Sequence, residues 1–266
     1  MTEICNELSE ITGSNLLYSV PELYQTVYPD GNHERVRLCL VQFQKYCRSL
    51  PTSVIDFGCG TGREVNALAA LGVDAVGVDA NAGMLRLAQK AGRGRFILGD
   101  VRKTRFDRQF SAALALGNIM SYLLTRNDIR AFLNNLVRHM LPQAILIVNI
   151  SNAARFLDVA SSHPEKTIKV QLPEGEATGR ITYRIDRKLQ RVHRERVWSI
   201  NEQSVHVDKC SYRLFFPEEV AYVLETAGFE VLDMADNENM ELSDFNGEEM
   251  TMVARFVGVQ RISDVF

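Results

Sequence analysis

Three glycines spaced two apart, Gly58, Gly60 and Gly62, follow an apolar run in the stretch SVIDFGCGTGREV, Ser53 to Val65. A strand that turns through glycines into a helix presents backbone N–H groups and the positive end of a helix dipole at one edge of a sheet. Glycine there allows positive φ and lets a ligand approach the main chain. By itself, such a turn also fits a tight strand-to-helix connection that binds nothing. Two acids narrow the reading. Asp79 closes the second strand-like run, where a carboxylate accepts hydrogen bonds from ribose hydroxyls, and Asp100 closes the third, where it accepts one from an adenine amino group. Either alone fits a helix cap or a turn. In this order, and together, they point to an adenosine ligand. The dinucleotide fingerprint needs a small residue at position 63, which is Arg63, and no G-K-[ST] follows, so NAD and P-loop nucleotides are disfavoured.

Positioning these residues takes strands that alternate with helices. SVIDF, DAVGVD, RFILGD, SAALAL and AILIVNI read as buried strands, separated by helical stretches REVNALAAL, AGMLRLAQKA and RNDIRAFLNNLVRHM. That alternation predicts a doubly wound, mostly parallel α/β sheet. Upstream, Val36, Leu40, Phe43 and Cys47 recur at helical spacing, after a turn at Pro29–Asn32. From Thr167 to Phe216 the runs IKVQL, RITYRID, VHRERVWSI and VHVDKCSYRLFF have no helix between them and predict an antiparallel insertion. PEEVAYVLETAGF then predicts a helix with Pro217 in its first turn and Gly228 at its end, followed by strands EVLDMA and EMTMVARF. The expected organisation is a helical arm over 1–50, a ligand-binding core over 51–166, the insertion over 167–216, and the last helix and strands of the core over 217–266.

The formal net charge of −3 provides no field to attract phosphate backbones or anionic lipid. Cys5, Cys39, Cys47, Cys59 and Cys210 are odd in number and lack a C-x-x-C pair, so neither disulfides nor a metal site is signalled. The first ten residues carry acids where a signal peptide is basic, and no apolar run is long enough for a membrane span. These features predict a soluble, cytoplasmic protein; a homodimer is left open.

With these residues in place, VIDFGCGTG, the acid Asp79, LGDVR around Asp100 and FSAALALGNIMSYL resemble the cofactor motifs of class I S-adenosylmethionine-dependent methyltransferases. The likeness runs from about Leu16 to Phe256. GNIMSYL, the insertion and YRLFFPEEVAYVLETAGFEVL further resemble the small-molecule branch, with its amino-sugar and glycine-type N-methyltransferases. One departure is Ser111, where the family usually has an acid. The resemblance implies a seven-stranded Rossmann-like sheet, the insertion acting as a lid, and S-adenosyl-L-methionine as cofactor. It implies that Gly58, Gly60 and Gly62 line the methionine part, Asp79 holds the ribose, Asp100 and Val101 the adenine, and the Leu116–Gly117–Asn118 backbone the amino-acid end. Asp56, Cys59, Ala80 and Met84 complete the implied cofactor site.

Methyl transfer to a small-molecule acceptor, an amine foremost, needs alignment and the exclusion of water rather than a metal. The candidates for that task are Tyr18, Tyr24 and Tyr28 in the arm, Asn118 and Tyr122 after the fourth strand, and Tyr183, Trp198, His206 and Arg213 in the insertion. His193 and His206 are the candidate bases, although a packed or exposed sheet histidine accounts equally for both. The basic run 180–196 fits either a phosphate-binding strip or the solvated face of an edge hairpin. The acidic loop from Asp236 to Glu249 fits either an amine attractor or a solvated turn. A nucleic-acid methyltransferase is disfavoured, because the loop Asn118–Ser121 lacks the N/D-P-P-aromatic signature for flipped bases. Two alternatives stay open: use of the cofactor without methyl transfer, such as intramolecular cyclisation, and a non-catalytic cofactor-binding protein.

Overall fold

The computed structural model describes residues 15–29, 34–162, 165–172, 175–200, 203–236, 240 and 243–258. The strand-like runs of the core become β1 (Ser53–Phe57), β2 (Asp74–Asp79), β3 (Arg95–Leu98), β4 (Phe110–Ala115) and β5 (Met140–Ser151), with β10 (Phe229–Ala235) and β11 (Glu249–Phe256) at the end of the chain. They form one seven-stranded sheet in the order β10-β11-β5-β4-β1-β2-β3, in which β11 alone runs antiparallel to its neighbours. The order reverses between β1 and β4, so the loops after these two strands open side by side at the carboxyl edge.

Residues on both faces of the sheet are apolar because both faces are covered. Ile55, Phe57, Ala113, Leu146 and Val148 pack beneath α6 (Arg126–Arg138) and α8 (Pro217–Thr226). Their neighbours Val54, Ala112, Leu114, Ile145 and Ile147 pack beneath α3 (Glu34–Cys47) and α4 (Arg63–Ala70). Local signals start the helices. Asn81 caps α5 (Ala82–Ala91) by accepting from Met84 N at 3.0 Å, and Thr125 and Asp128 form a capping box on α6. Ser111, at the other end of the strands from the open edge, accepts from Ser53 N at 3.0 Å and joins β4 to β1.

The insertion is a four-stranded antiparallel meander of β6 (Glu165–Leu172), β7 (Gly175–Asp186), β8 (Arg191–Ile200) and β9 (Gln203–Arg213). Against it pack two short arm helices, α1 (Leu16–Ser19) and α2 (Pro21–Val27), through Leu16, Leu17, Val20 and Leu23. The arm helices and α7 (Ala153–Ser162) have no counterpart in the sequence reading. Four and seven residues are too few to show a helical period, and in SNAARFLDVASS the start signal, Asn152 accepting from Ala154 N at 3.2 Å, directly abuts the preceding strand run. Residues 30–32 of the turn expected at 29–32 and part of the acidic loop lie outside the described residues.

Candidate active site

The glycine loop takes left-handed backbone at each predicted position, with φ of +81° at Gly58, +51° at Gly60 and +73° at Gly62. The three are needed for different reasons. A β-carbon on Gly58 would stand 2.7 Å from Ile119, and one on Gly62 would stand 2.5 Å from the Phe96 ring and 2.7 Å from Ala88. Only at Gly60 does it point into open space. An added β-carbon would thus meet protein at Gly58 and Gly62 and open space at Gly60, while the backbone of both Gly58 and Gly60 borders a cavity.

That cavity, of about 520 Å³, is walled by Asp56, Gly58, Cys59, Gly60, Asp79, Ala80, Met84, Asp100, Val101, Leu116 and Gly117, but not by Gly62. Asp79 ties it together. Its carboxylate accepts from Gly60 N and Asn81 N, both at 2.8 Å, leaving lone pairs on each oxygen, while burial raises its pKa. Asp56 is more deeply buried. Its Oδ1 has no hydrogen-bond partner among the described residues, and burial, reinforced by repulsion from Glu64 and Asp79, holds its pKa well above the carboxylate range. Asp100 differs: Arg102 grips both its oxygens, at 2.9 Å and 2.7 Å, and this pairing lowers its pKa. Arg102 also reaches Asp128, so the carboxylate is already engaged at the cavity wall.

A larger cavity, of about 1210 Å³, lies next to it, between the arm, the insertion and the carboxyl edge. Its walls include Tyr28, Asn118, Asn149, Phe156, Tyr183, Arg194, Tyr212 and Glu249. The two cavities share Tyr18, Tyr24, Arg35, Arg63, Glu64, Gly117 and Tyr122 as walls. At this junction the hydroxyls of Tyr18 and Tyr122 meet at 2.8 Å. Burial raises the pKa of both, so both stay protonated at neutral pH and neither serves as a resting base. Asn118, at φ +70°, uses its Oδ1 to accept from Ser151 N, and its own N–H donates to Asn149 O at 3.2 Å. The buried Asn149 has an Oδ1 with no partner among the described residues.

Residues 54–143 match the family model of a methyltransferase domain. A putative methyltransferase, YqeM, of Bacillus subtilis (strain 168) is 30% identical over 118 residues, covering 42% of this chain and 48% of that protein. A dTDP-3-amino-3,6-dideoxy-alpha-D-glucopyranose N,N-dimethyltransferase of Streptomyces fradiae is 28% identical over 132 residues, covering 48% and 52%. The chain spans about half the length of these curated relatives. The crystal structure of an S-adenosylmethionine-dependent methyltransferase from Clostridium acetobutylicum ATCC 824 superposes with a TM-score of 0.74 at 14% identity, over 92% of this chain and 100% of that one.

Over residues 54–143 the chain is thus similar to a methyltransferase domain. Nearly the whole chain shares the fold of that Clostridium structure. Residues 54–143 supply most of the walls of the smaller cavity, completed by Tyr18, Tyr24 and Arg35, whereas the larger one is lined mostly by segments on either side of 54–143 in sequence. Among the predicted acceptor-side residues, Tyr18 sits at the junction, and Tyr28 and Asn118 line the larger cavity alone. Tyr28 is 46% exposed, at the rim. His206 lines neither cavity; it is buried on β9 opposite Trp198. His193 hydrogen-bonds Ser211 Oγ at 2.8 Å, and Arg213 pairs with Glu219 at 2.6 Å. Asp236, Glu248 and Glu249 of the acidic segment do line the larger cavity.

Arg35, Arg194 and Asn149 were not singled out from sequence. Arg35 sits on the polar side of an ordinary amphipathic helix, and Arg194 sits in a run that reads equally as solvated strand. In the fold Arg35 pairs with Glu249 at 3.5 Å beside both cavities. Arg194 is 9% exposed, lies over the Tyr212 ring and faces the larger cavity.

Proposed function

We propose that the chain transfers a methyl group from S-adenosylmethionine to an amine of a small molecule, with amino sugars as the leading acceptor class. One observation carries this reading above all: a large second cavity, lined by both polar and apolar groups, meets the cofactor cavity at Tyr18 and Tyr122. Cyclisation of the cofactor alone requires no such cavity, nor does simple cofactor binding. The relative named for an aminodideoxyglucose N,N-dimethyltransferase supports the acceptor class.

The smaller cavity fits the cofactor. The open β-carbon direction at Gly60 and the partnerless buried Oδ1 of Asp56 are features that a cationic, close-lying ligand accounts for. In this reading Asp79 holds the ribose hydroxyls and Val101 flanks the adenine beside Asp100. The Leu116–Gly117 backbone, with Arg35, faces the amino-acid end. When bound, S-adenosylmethionine supplies a methyl on a sulfonium, whose C–S bonding electrons return to sulfur as the acceptor nitrogen forms the new C–N bond.

The chain's residues then have an aligning task. The neutral hydroxyls of Tyr18 and Tyr122 orient the amine lone pair along the line between the cavities, and Asn118 fixes the loop beneath it. The arm and the insertion exclude water. The extra proton on the product nitrogen leaves to solvent or to the acids at the rim, Glu249 among them. His206, away from both cavities, has no part in this step. No helix among the described residues is long and apolar enough to cross a membrane. A cytoplasmic small-molecule enzyme, with no nucleic-acid partner, completes the reading.

Incubating the protein with S-adenosylmethionine and a dTDP-linked 3-amino-3,6-dideoxyhexose, followed by mass spectrometry, tests it. The expected result is gain of one or two methyl groups by the sugar. Cofactor consumption without acceptor, or binding without turnover across a panel of amino sugars and simple amines, overturns it.

A further inference from the structure

The buried face of the inserted sheet carries an ion pair where apolar side chains would pack as well. Arg196 and Asp208 face each other across β8 and β9, and both are fully buried. Asp208 Oδ2 accepts from Arg196 Nε at 3.0 Å, Arg196 Nη2 at 2.8 Å and Trp198 Nε1 at 3.0 Å. Its Oδ1 faces Arg194 at 3.4 Å. Gly179, across from Trp198, leaves the space, since a β-carbon there would stand 3.2 Å from the indole and 3.3 Å from Arg196 Cδ. Buried pairs of this kind add little stability over apolar residues of similar volume, so their presence asks for a positional role.

The position is set by a third partner. Arg196 Nη2 also donates to Asn15 Oδ1 at 2.9 Å, the only described side-chain oxygen of the arm that it reaches. Asn15 O accepts from Tyr18 N at 2.9 Å and Ser19 N at 3.1 Å, so the residue held by Arg196 begins the turn that carries Tyr18. Tyr18 then touches the domain twice, through its hydroxyl to Tyr122 and its carbonyl to Asn81 Nδ2. Leu16, Leu17, Val20 and Leu23 cover Trp198 beside the pair.

We infer that Asp208, Arg196 and Asn15 form a latch between the inserted sheet and the arm, and that they are positioning residues which hold Tyr18 at the junction of the two cavities. Asp208 orients the guanidinium, the guanidinium fixes Asn15, and Asn15 fixes the turn. The inference rests on the cofactor reading above only for the ligand used in part of its test.

Asn15→Ala removes the arm's end of the latch and leaves the buried pair intact, and Asn15→Asp keeps an oxygen acceptor for Arg196. The chain has a single tryptophan, Trp198, under the arm, so its fluorescence reports docking directly. In Asn15→Ala, acrylamide quenching of Trp198 is expected to rise by about twofold or more as the arm opens locally. Affinity for S-adenosylhomocysteine, measured by calorimetry, is expected to fall by about 10-fold, in line with one lost charge-assisted hydrogen bond. Asn15→Asp is expected to restore both. Unchanged quenching in Asn15→Ala overturns the latch, whether or not the thermal midpoint falls, and so does an Asn15→Asp variant as open as Asn15→Ala. If the unaltered protein fails to bind S-adenosylhomocysteine, the cofactor reading fails, while the quenching comparison still decides the latch.

Discussion

The two sheets of this molecule bury their faces by opposite means. In the seven-stranded sheet, β1 and β4 are buried along nearly their whole length, mostly through apolar residues with Asp56 as the exception, and cover comes from helices adjacent in sequence. In the inserted sheet, β8 buries every second residue, and the buried set is Val192, Arg194, Arg196, Trp198 and Ile200. Cover there comes from an arm about 180 residues upstream, Asn15 and Arg196 being 181 positions apart. A sheet covered by its own crossover helices can be purely apolar, whereas one covered by a distant segment needs a contact that fixes where that segment lands. A buried, directional ion pair provides such a contact.

The comparison breaks most readily at Asp208. Asp208→Ala strands the buried Arg196 guanidinium and should cost about 3–5 kcal/mol in urea unfolding. Arg196→Met with Asp208→Leu should recover most of that loss, because an apolar pair satisfies the sheet if not the latch. Equal destabilisation by the single and double variants would put the inserted sheet on the same footing as the apolar one.

On the side of the large sheet, Asp79→Ala should weaken S-adenosylmethionine binding by about 30- to 1,000-fold, from two lost charge-assisted hydrogen bonds worth about 2–4 kcal/mol. Calorimetry checks this, and an unchanged affinity would remove Asp79 from the ribose. The glycine loop sharpens the contrast within that site. Gly62→Ala forces a β-carbon into Phe96 and Ala88 and should lower stability by about 2–3 kcal/mol. Gly60→Ala meets open space, so its stability loss should stay near 1 kcal/mol while cofactor affinity drops. Thermal melts read the first difference and calorimetry the second.

The smallest effect is expected at the junction. Tyr18→Phe removes the hydroxyl shared with Tyr122 and should lower kcat by roughly 3- to 10-fold, with a smaller change in cofactor affinity. His206→Ala, away from both cavities, should leave the pH profile of turnover unchanged. Steady-state kinetics of the two variants would expose an error if the histidine variant alone lost activity.

Much of the core was legible in the sequence for local reasons. SVIDF and DAVGVD are rich in β-branched and apolar residues, and the helices between strands have a 3.6-residue period. Asp79 and Asp100 were read from their place at strand ends and the other proposed cofactor-side residues from the family resemblance, and all of them but Gly62 wall the smaller cavity. The acceptor side was only half legible. Tyr18 and Asn118 were singled out, but His206 ranked above Arg194 because a histidine advertises proton chemistry in any context.

What the sequence determined by itself was the strands of the two sheets, the helices between the core strands, their alternation and the edge at which a ligand must lie, since these depend on residues within a few turns of one another. Tertiary structure alone decided which polar residues are inside. The period of β8 is the same whether Arg194 and Arg196 face water or a cavity, and nothing near them in the chain specifies the answer. It is specified by Leu16, Leu17 and Asn15, which close over that face only when the arm crosses the sheet, and burial is a property of the covering segment as much as of the residue covered.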